Sequence, residues 1–158
     1  LVKNEIDLLQ SITKEPVTKS RQHYIKFTLP ETYRNLLQLG IHEDYSMGYA
    51  SENGFRAGTS NSFFWYDLKK EEKTALMIHP FAFMDATSRY YLHQSPEAAL
   101  KEWEKLFLKI QSVQGRFISI WHNYNLSLGS DWLNVYEKLL DFAKGRTVTN
   151  SEAVPLKK

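Results

Sequence analysis

The stretch Phe117-Ile118-Ser119-Ile120-Trp121-His122-Asn123 carries the reading of this chain. Its first part is an apolar, β-prone run that predicts a buried strand, and it delivers three polar or amphipathic side chains at its C-terminal tip. Other runs behave alike: Ser20-Arg21-Gln22-His23-Tyr24, Gly54-Phe55-Arg56-Ala57-Gly58, and Met77-Ile78-His79-Pro80 leading to Met84-Asp85. Polar groups gathered where several parallel strands end predict a functional site at that end of an α/β protein.

Working outward, helical signals alternate with these runs. The opening residues LVKNEIDLLQSITK carry an apolar stripe of Ile6, Leu8, Leu9 and Ile12. Gln22 to Phe27 alternates as a short strand. Thr28 and Glu31 sit at capping-box spacing before a helix that Gly40 stops. A brief strand over Tyr45 to Tyr49 follows, then a strand over Ser62 to Leu68, a charged turn, and a strand over Thr74 to Ile78. Residues 81 to 94 read as irregular or as a short helix. Ser95-Pro96-Glu97 opens a helix whose buried face is Trp103, Leu106, Phe107 and Ile110. Ser130 caps the last helix, striped by Trp132, Val135, Tyr136, Leu139 and Leu140, and Gly145 ends it. Helices alternating with short apolar strands predict an α/β fold, layered or barrel-like.

The chain has 158 residues, 42% of them hydrophobic and 14% aromatic, which suits one domain with a substantial core. Residues 1–146 are expected to form it, with 147–158 as a poorly ordered tail that has little to bury. The net charge of +2 comes from interspersed charges, so no basic stripe for a phosphate backbone exists and nucleic acid is not an expected partner. The sequence has no cysteine, which excludes disulfides and zinc–thiolate sites. No apolar run is long enough to span a bilayer.

His122 is the leading candidate for chemistry. An imidazole titrates near working pH and serves acid–base transfer, with Trp121 able to exclude water and Asn123 able to orient a ring or substrate. The competing reading is a histidine that closes a strand end. Arg21 and His23 lie two apart in an extended segment, so both can face one cavity. Asp44 and Asp85 could each be a base, an arginine partner or a loop cap. Arg56, bracketed by glycines, could approach a ligand or pair with either aspartate. His79 before Pro80 could point into a site. No HxxxH, HExxH, GxSxG or glycine-rich phosphate loop occurs, so no metal site is expected within these residues.

Taken together, SRQHY (20–24), YRNLLQLGI (33–41), DYSMGY (44–49), GFRAGTS (54–60), MIHPFAFMDAT (77–87) and SIWHN (119–123) resemble the C-terminal portion of the polysaccharide deacetylase family of the NodB-homology type, in a divergent bacterial branch. The resemblance implies a partial, distorted (β/α) barrel lacking its first strands. It also implies a fragment of a metal-dependent carbohydrate N-deacetylase acting on a carbohydrate substrate. The family's divalent, zinc-like metal is held by an aspartate and two histidines from motifs that do not occur here, so none is expected to be bound by this piece. On the same resemblance Arg21 orients the catalytic base, Asp44 takes the place of a charged catalytic residue, and His122 protonates the leaving amine. Ile120 would line the pocket for the acyl methyl, and His23 would line the site. Arg56 and Asp85 are expected as a buried pair shaping the substrate end, beside Trp121 and Asn123. The alternative is a catalytically silent relative that binds a glycan or protein partner. An incomplete barrel would expose a sheet edge, predicting self-association there or cover by the first helix.

Overall fold

The computed structural model describes residues 2–147; the expected tail lies, from residue 148 onward, outside the described residues. The element order is α1 (Val2–Thr13), β1 (Lys19–Ser20), α2 (Glu31–Gln38), β2 (Glu43–Asp44), β3 (Phe63–Asp67), β4 (Glu72–Ile78), β5 (Phe83–Met84), α3 (Pro96–Ser112), β6 (Ser119–Ile120) and α4 (Asp131–Thr147). Short 3-10 turns at His23–Ile25 and Asn123–Asn125, and a π-helical turn at Thr87–Tyr91, follow β1, β6 and β5. The protein is a mixed α/β fold. Its strands form a four-stranded sheet in the order β1-β2-β4-β3 and a two-stranded ladder of β5 and β6, with no closed cylinder among the described residues.

β1, β2 and β4 are parallel, β3 is antiparallel to β4, and β5 is parallel to β6. The chain leaving β4 stitches the two ladders together. His79 N–H donates to the Asp44 carbonyl (2.9 Å), Phe81 N–H to Met47 (3.1 Å), and Ala82 N–H to Ile118 (3.0 Å).

Local chemistry sets the boundaries. Gly40 takes φ +78° at the end of α2, where Ile41 N–H closes on the Leu36 carbonyl at 3.0 Å and Gly40 N–H on Leu37 at 3.1 Å. That pattern is the Schellman closure expected of a glycine stop. Ser95 and Ser130 both cap as expected, accepting from Ala98 N–H (3.3 Å) and Leu133 N–H (3.1 Å).

Four boundaries differ from the sequence reading. The first strand is Lys19–Ser20 rather than Gln22–Phe27, because Gln22 N–H is taken by the Ser46 hydroxyl (2.8 Å), and Tyr24 and Ile25 lie at φ 56° and 54°. Positive φ at a β-branched residue is incompatible with a strand. The second strand is Glu43–Asp44 rather than Tyr45–Tyr49, because Ser46 turns back onto the Asp44 carboxylate. A two-residue strand, β5, lies within the stretch read as irregular or helical, and α4 continues past Gly145.

Two main cores hold the layers. One packs Tyr33 and Leu36 of α2 against Trp65, Leu76 and Ile78 of the sheet. The other packs Trp103 of α3 and Trp132, Val135 and Leu139 of α4 around Phe83. A smaller cluster joins Phe81, Met84, Ala86 and Ile120, with Ile25 and Ile118 packed against it. Phe81 is seated on Gly48, where any Cβ would come within 2.3 Å of its ring. No residue of α1 is buried, and of its apolar stripe Ile6 packs against the first core while Leu8, Leu9 and Ile12 stay exposed.

Beside the first core, Arg34 grips the Asp67 carboxylate with both prongs, at 2.6 and 2.9 Å. This hydrogen bonding holds the Asp67 carboxyl below the ordinary carboxylate range. A depressed folded-state value means the pair stabilises the fold above the unfolded carboxyl's pKa and ceases to do so as pH falls through the folded one. Urea midpoints followed from pH 7 to pH 3 are therefore expected to drop less steeply in Asp67→Asn than in the wild type. An unchanged acid slope would remove this pair from the acid sensitivity.

Candidate functional site

The C-terminal ends of β1, β5 and β6, with the turns that follow them, surround a cavity of about 380 Å³. Its floor is apolar, formed by Met84, Ala86 and Ile120, all less than one-tenth exposed. The turn after β1 contributes Arg21, His23 and Tyr24, the turn after β5 contributes Tyr90 and Tyr91, and the turn after β6 contributes His122 and Tyr124. A volume of this size falls within the usual range for small-molecule sites, about 300–1,000 Å³.

The centre of the arrangement is Asp85, fully buried at the end of β5. Its Oδ1 accepts from Ala86 N–H (2.7 Å) and lies 2.6 Å from His122 Nδ1. Its Oδ2 accepts from His122 N–H (2.8 Å) and Asn125 Nδ2 (2.7 Å). With the carboxylate accepting throughout, Nδ1 is the donor, and Nε2 is the nitrogen left for the cavity. The ring keeps 26% of its side-chain surface open. Asn125 is itself fully buried, and its Oδ1 accepts from Arg89 (2.7 Å) and from the Tyr90 hydroxyl (3.2 Å). Backbone and side chain of His122 are thus both fixed by one carboxylate, which is in turn fixed by a polar network.

No family model and no curated protein matches this chain. Its chemistry is therefore read from its own geometry.

The structure brings Arg21, His23, Ile120 and His122 to one cavity, with Asp85 directly beneath His122. Asp44 is not among the cavity's residues. It is fully buried, accepting from Tyr33 (3.2 Å) and from the Ser46 hydroxyl (2.8 Å) and N–H (2.9 Å). Burial raises its pKa, with the Ser46 and Tyr33 hydrogen bonds opposing the shift. Because Ser46 also accepts from Gln22 N–H (2.8 Å), Asp44 acts on the cavity at one remove, holding the turn that presents Arg21 and His23. That turn needs holding, since Tyr24 and Ile25 are consecutive left-handed residues, and such backbone costs about 1–3 kcal/mol per residue.

The expected Arg56–Asp85 pair does not form. Arg56 donates to the Gly48 carbonyl (3.2 Å) and lies 4.5 Å from the centre of the Phe27 ring, while both Asp85 oxygens are occupied from the β6 side. Trp121 lies away from the cavity lining, in contact with Phe83 and Tyr136 and bonded to Ser119. Asn123 is exposed and closes the 3-10 turn onto Tyr124 N–H. His79 is buried elsewhere, 2.7 Å from the Ser62 hydroxyl, 3.0 Å from Glu43 and stacked on Tyr45, with burial lowering its pKa.

Sequence reasoning missed Asn125 and the tyrosines. Tyr24, Tyr90, Tyr91 and Tyr124 each fall a few residues beyond a strand end, a signal that was available. Asn125 carried none, because only the folded 3-10 turn returns it to Asp85. Among the described residues no group of three or more His, Asp or Glu side chains gathers as a metal site.

Proposed function

We propose that this chain carries the proton-donor side of a carbohydrate N-deacetylase, within a partial (β/α) barrel of the polysaccharide deacetylase type. The observation that carries the reading is the Asp85–His122 pair, 2.6 Å apart, at a cavity that also holds Arg21. An imidazole fixed through Nδ1 presents Nε2 to a leaving group, the geometry general acid catalysis requires. Tyrosine faces and hydroxyls around an apolar floor supply stacking surface and hydrogen bonds for a sugar ring. As the imidazolium, with Nδ1–H held by Asp85, His122 would pass its Nε2 proton to the departing amine as the C–N bond breaks. The acyl group would leave with the water-derived oxygen, the proton of that water going to a catalytic base outside this sequence. The family's metal motifs would have to come from polypeptide outside this sequence.

A second reading is a glycan-binding module without catalysis, which rests on the same tyrosines, Arg21 and apolar floor at the cavity. The two part on the parent polypeptide: an aspartate pair and a histidine motif preceding Leu1 support the enzyme, and their absence supports the binder.

Both readings place a glycan in the same cavity. Titrating ¹⁵N-labelled protein with a tetrasaccharide of N-acetylglucosamine is expected to shift the amides of Ile120, His122 and Tyr124, and to leave α1 unmoved. His122→Ala is expected to weaken that binding about three- to tenfold, the effect of one good hydrogen bond. The chain alone, with added zinc, is expected to release no acetate. Shifts confined to surfaces away from β6 would overturn the glycan reading.

A further inference from the structure

Arg21 stands apart from the other arginines whose side chains are described. Arg34 is paired with Asp67, Arg56 with the Gly48 carbonyl and the Phe27 ring, Arg89 with Asn125, and Arg116 reaches His79. The side chain of Arg21 makes no hydrogen bond, ion pair or ring contact among the described residues. It lines the cavity, and so do His23 and His122, whereas among the described residues no aspartate, glutamate or lysine does. Asp85, the acid beneath His122, has both oxygens filled, and the Asp44 carboxylate is taken by Tyr33 and Ser46. The cavity therefore holds a planar, permanently charged donor fork and, among the described residues, no carboxylate lining it to meet that charge.

We propose that the ligand of this cavity carries a carboxylate that pairs with Arg21, so that the glycan recognised is an acidic sugar rather than a neutral one. This rests on the glycan reading above. A single guanidinium, with the neighbouring Lys19 already paired to Glu43, matches one planar carboxylate, which it grips through two parallel hydrogen bonds. A phosphate draws on several cations or on clustered backbone N–H groups, and no second arginine or lysine among the described residues lines the cavity. A neutral sugar lying across the site would cover the guanidinium without meeting its charge, and covering an unmatched charge opposes binding. The tyrosine rings would take the sugar's apolar face while Arg21 fixes the orientation of the acidic group.

The test uses three probes on the whole chain by calorimetry: a tetrasaccharide alternating N-acetylglucosamine and glucuronic acid, the same molecule as its methyl ester, and a tetrasaccharide of N-acetylglucosamine. The acid is expected to bind about tenfold more tightly than its ester at low salt, the factor of one charge-assisted pair. In Arg21→Gln, whose exposed site should leave the circular dichroism spectrum unchanged, acid and ester are expected to bind alike. Equal binding of acid and ester by the wild type would overturn the inference while leaving the glycan reading intact. Persistence of the preference in Arg21→Gln would overturn it too. Binding of none of the three would overturn both.

Discussion

Replacing Asp85 with alanine is expected to cost about 3–5 kcal/mol of stability, because it strands several donors inside the protein at once. Ala86 N–H, His122 N–H, His122 Nδ1 and Asn125 Nδ2 all converge on this carboxylate, which has no solvent exposure. A loss of that size is a large share of the roughly 5–15 kcal/mol that holds a domain together. Asp85→Asn separates the structural role from the orienting one. The amide must turn its NH₂ toward one pair of donors, so part of the network repels instead of binding, and stability should fall by about 1–3 kcal/mol. If the NH₂ faces His122, it donates to Nδ1 and forces the ring into its other tautomer. Imidazole ¹⁵N shifts would register that change, whereas a purely structural Asp85 would lower the urea midpoint and leave the His122 tautomer alone.

The legibility of this site in the sequence follows from how far apart its parts lie along the chain. His122 could be found because it sits just past an apolar run, and the ends of parallel strands meet in space whatever the loops do. Arg21 and His23, expected two apart on one strand, reach the cavity from the turn after β1 instead. Ser95, Ser130 and Gly40 could be found because capping is decided within a few residues. The partner of Asp85 could not. Its selection of His122 and Asn125 over Arg56 depends on β5 lying beside β6, a pairing of two residues in each strand that leaves almost no pattern. Asp44 misleads for a related reason. A polar residue at a strand tip points either to the cavity or to the helix layer, and the difference is one residue of register. Here it faces Tyr33 of α2 and serves the cavity through Ser46 and Gln22.

That division explains why the layers on either side of the cavity are built differently. On the α2 side, a buried carboxylate and its donors fix the turn bearing Arg21. On the α3 and α4 side, aromatic packing fixes the strands bearing Asp85 and His122. A lesion in the first should loosen the turn that presents the guanidinium, and a lesion in the second should disturb the imidazole.

Trp103→Ala is the sharpest lesion available on the second side, with an expected cost of about 3–5 kcal/mol. The indole is 4% exposed and meets three rings: Phe107 at 5.0 Å, Phe117 at 4.8 Å and Phe142 at 6.1 Å between centroids. It ties α3 to α4 and to the segment entering β6, so its removal should lower the urea midpoint and abolish much of the near-ultraviolet circular dichroism. Trp103→Phe is the informative partner. Nε1 is buried and has no hydrogen-bond partner among the described residues, a state that itself costs about 1–3 kcal/mol. Phenylalanine removes that burden while keeping a ring for Phe107 and Phe117 to pack on. Its loss is therefore expected to be under half that of the alanine variant. If the two substitutions cost the same, the orphaned N–H was never a burden, and the six-membered ring alone cannot fill the space between the helices.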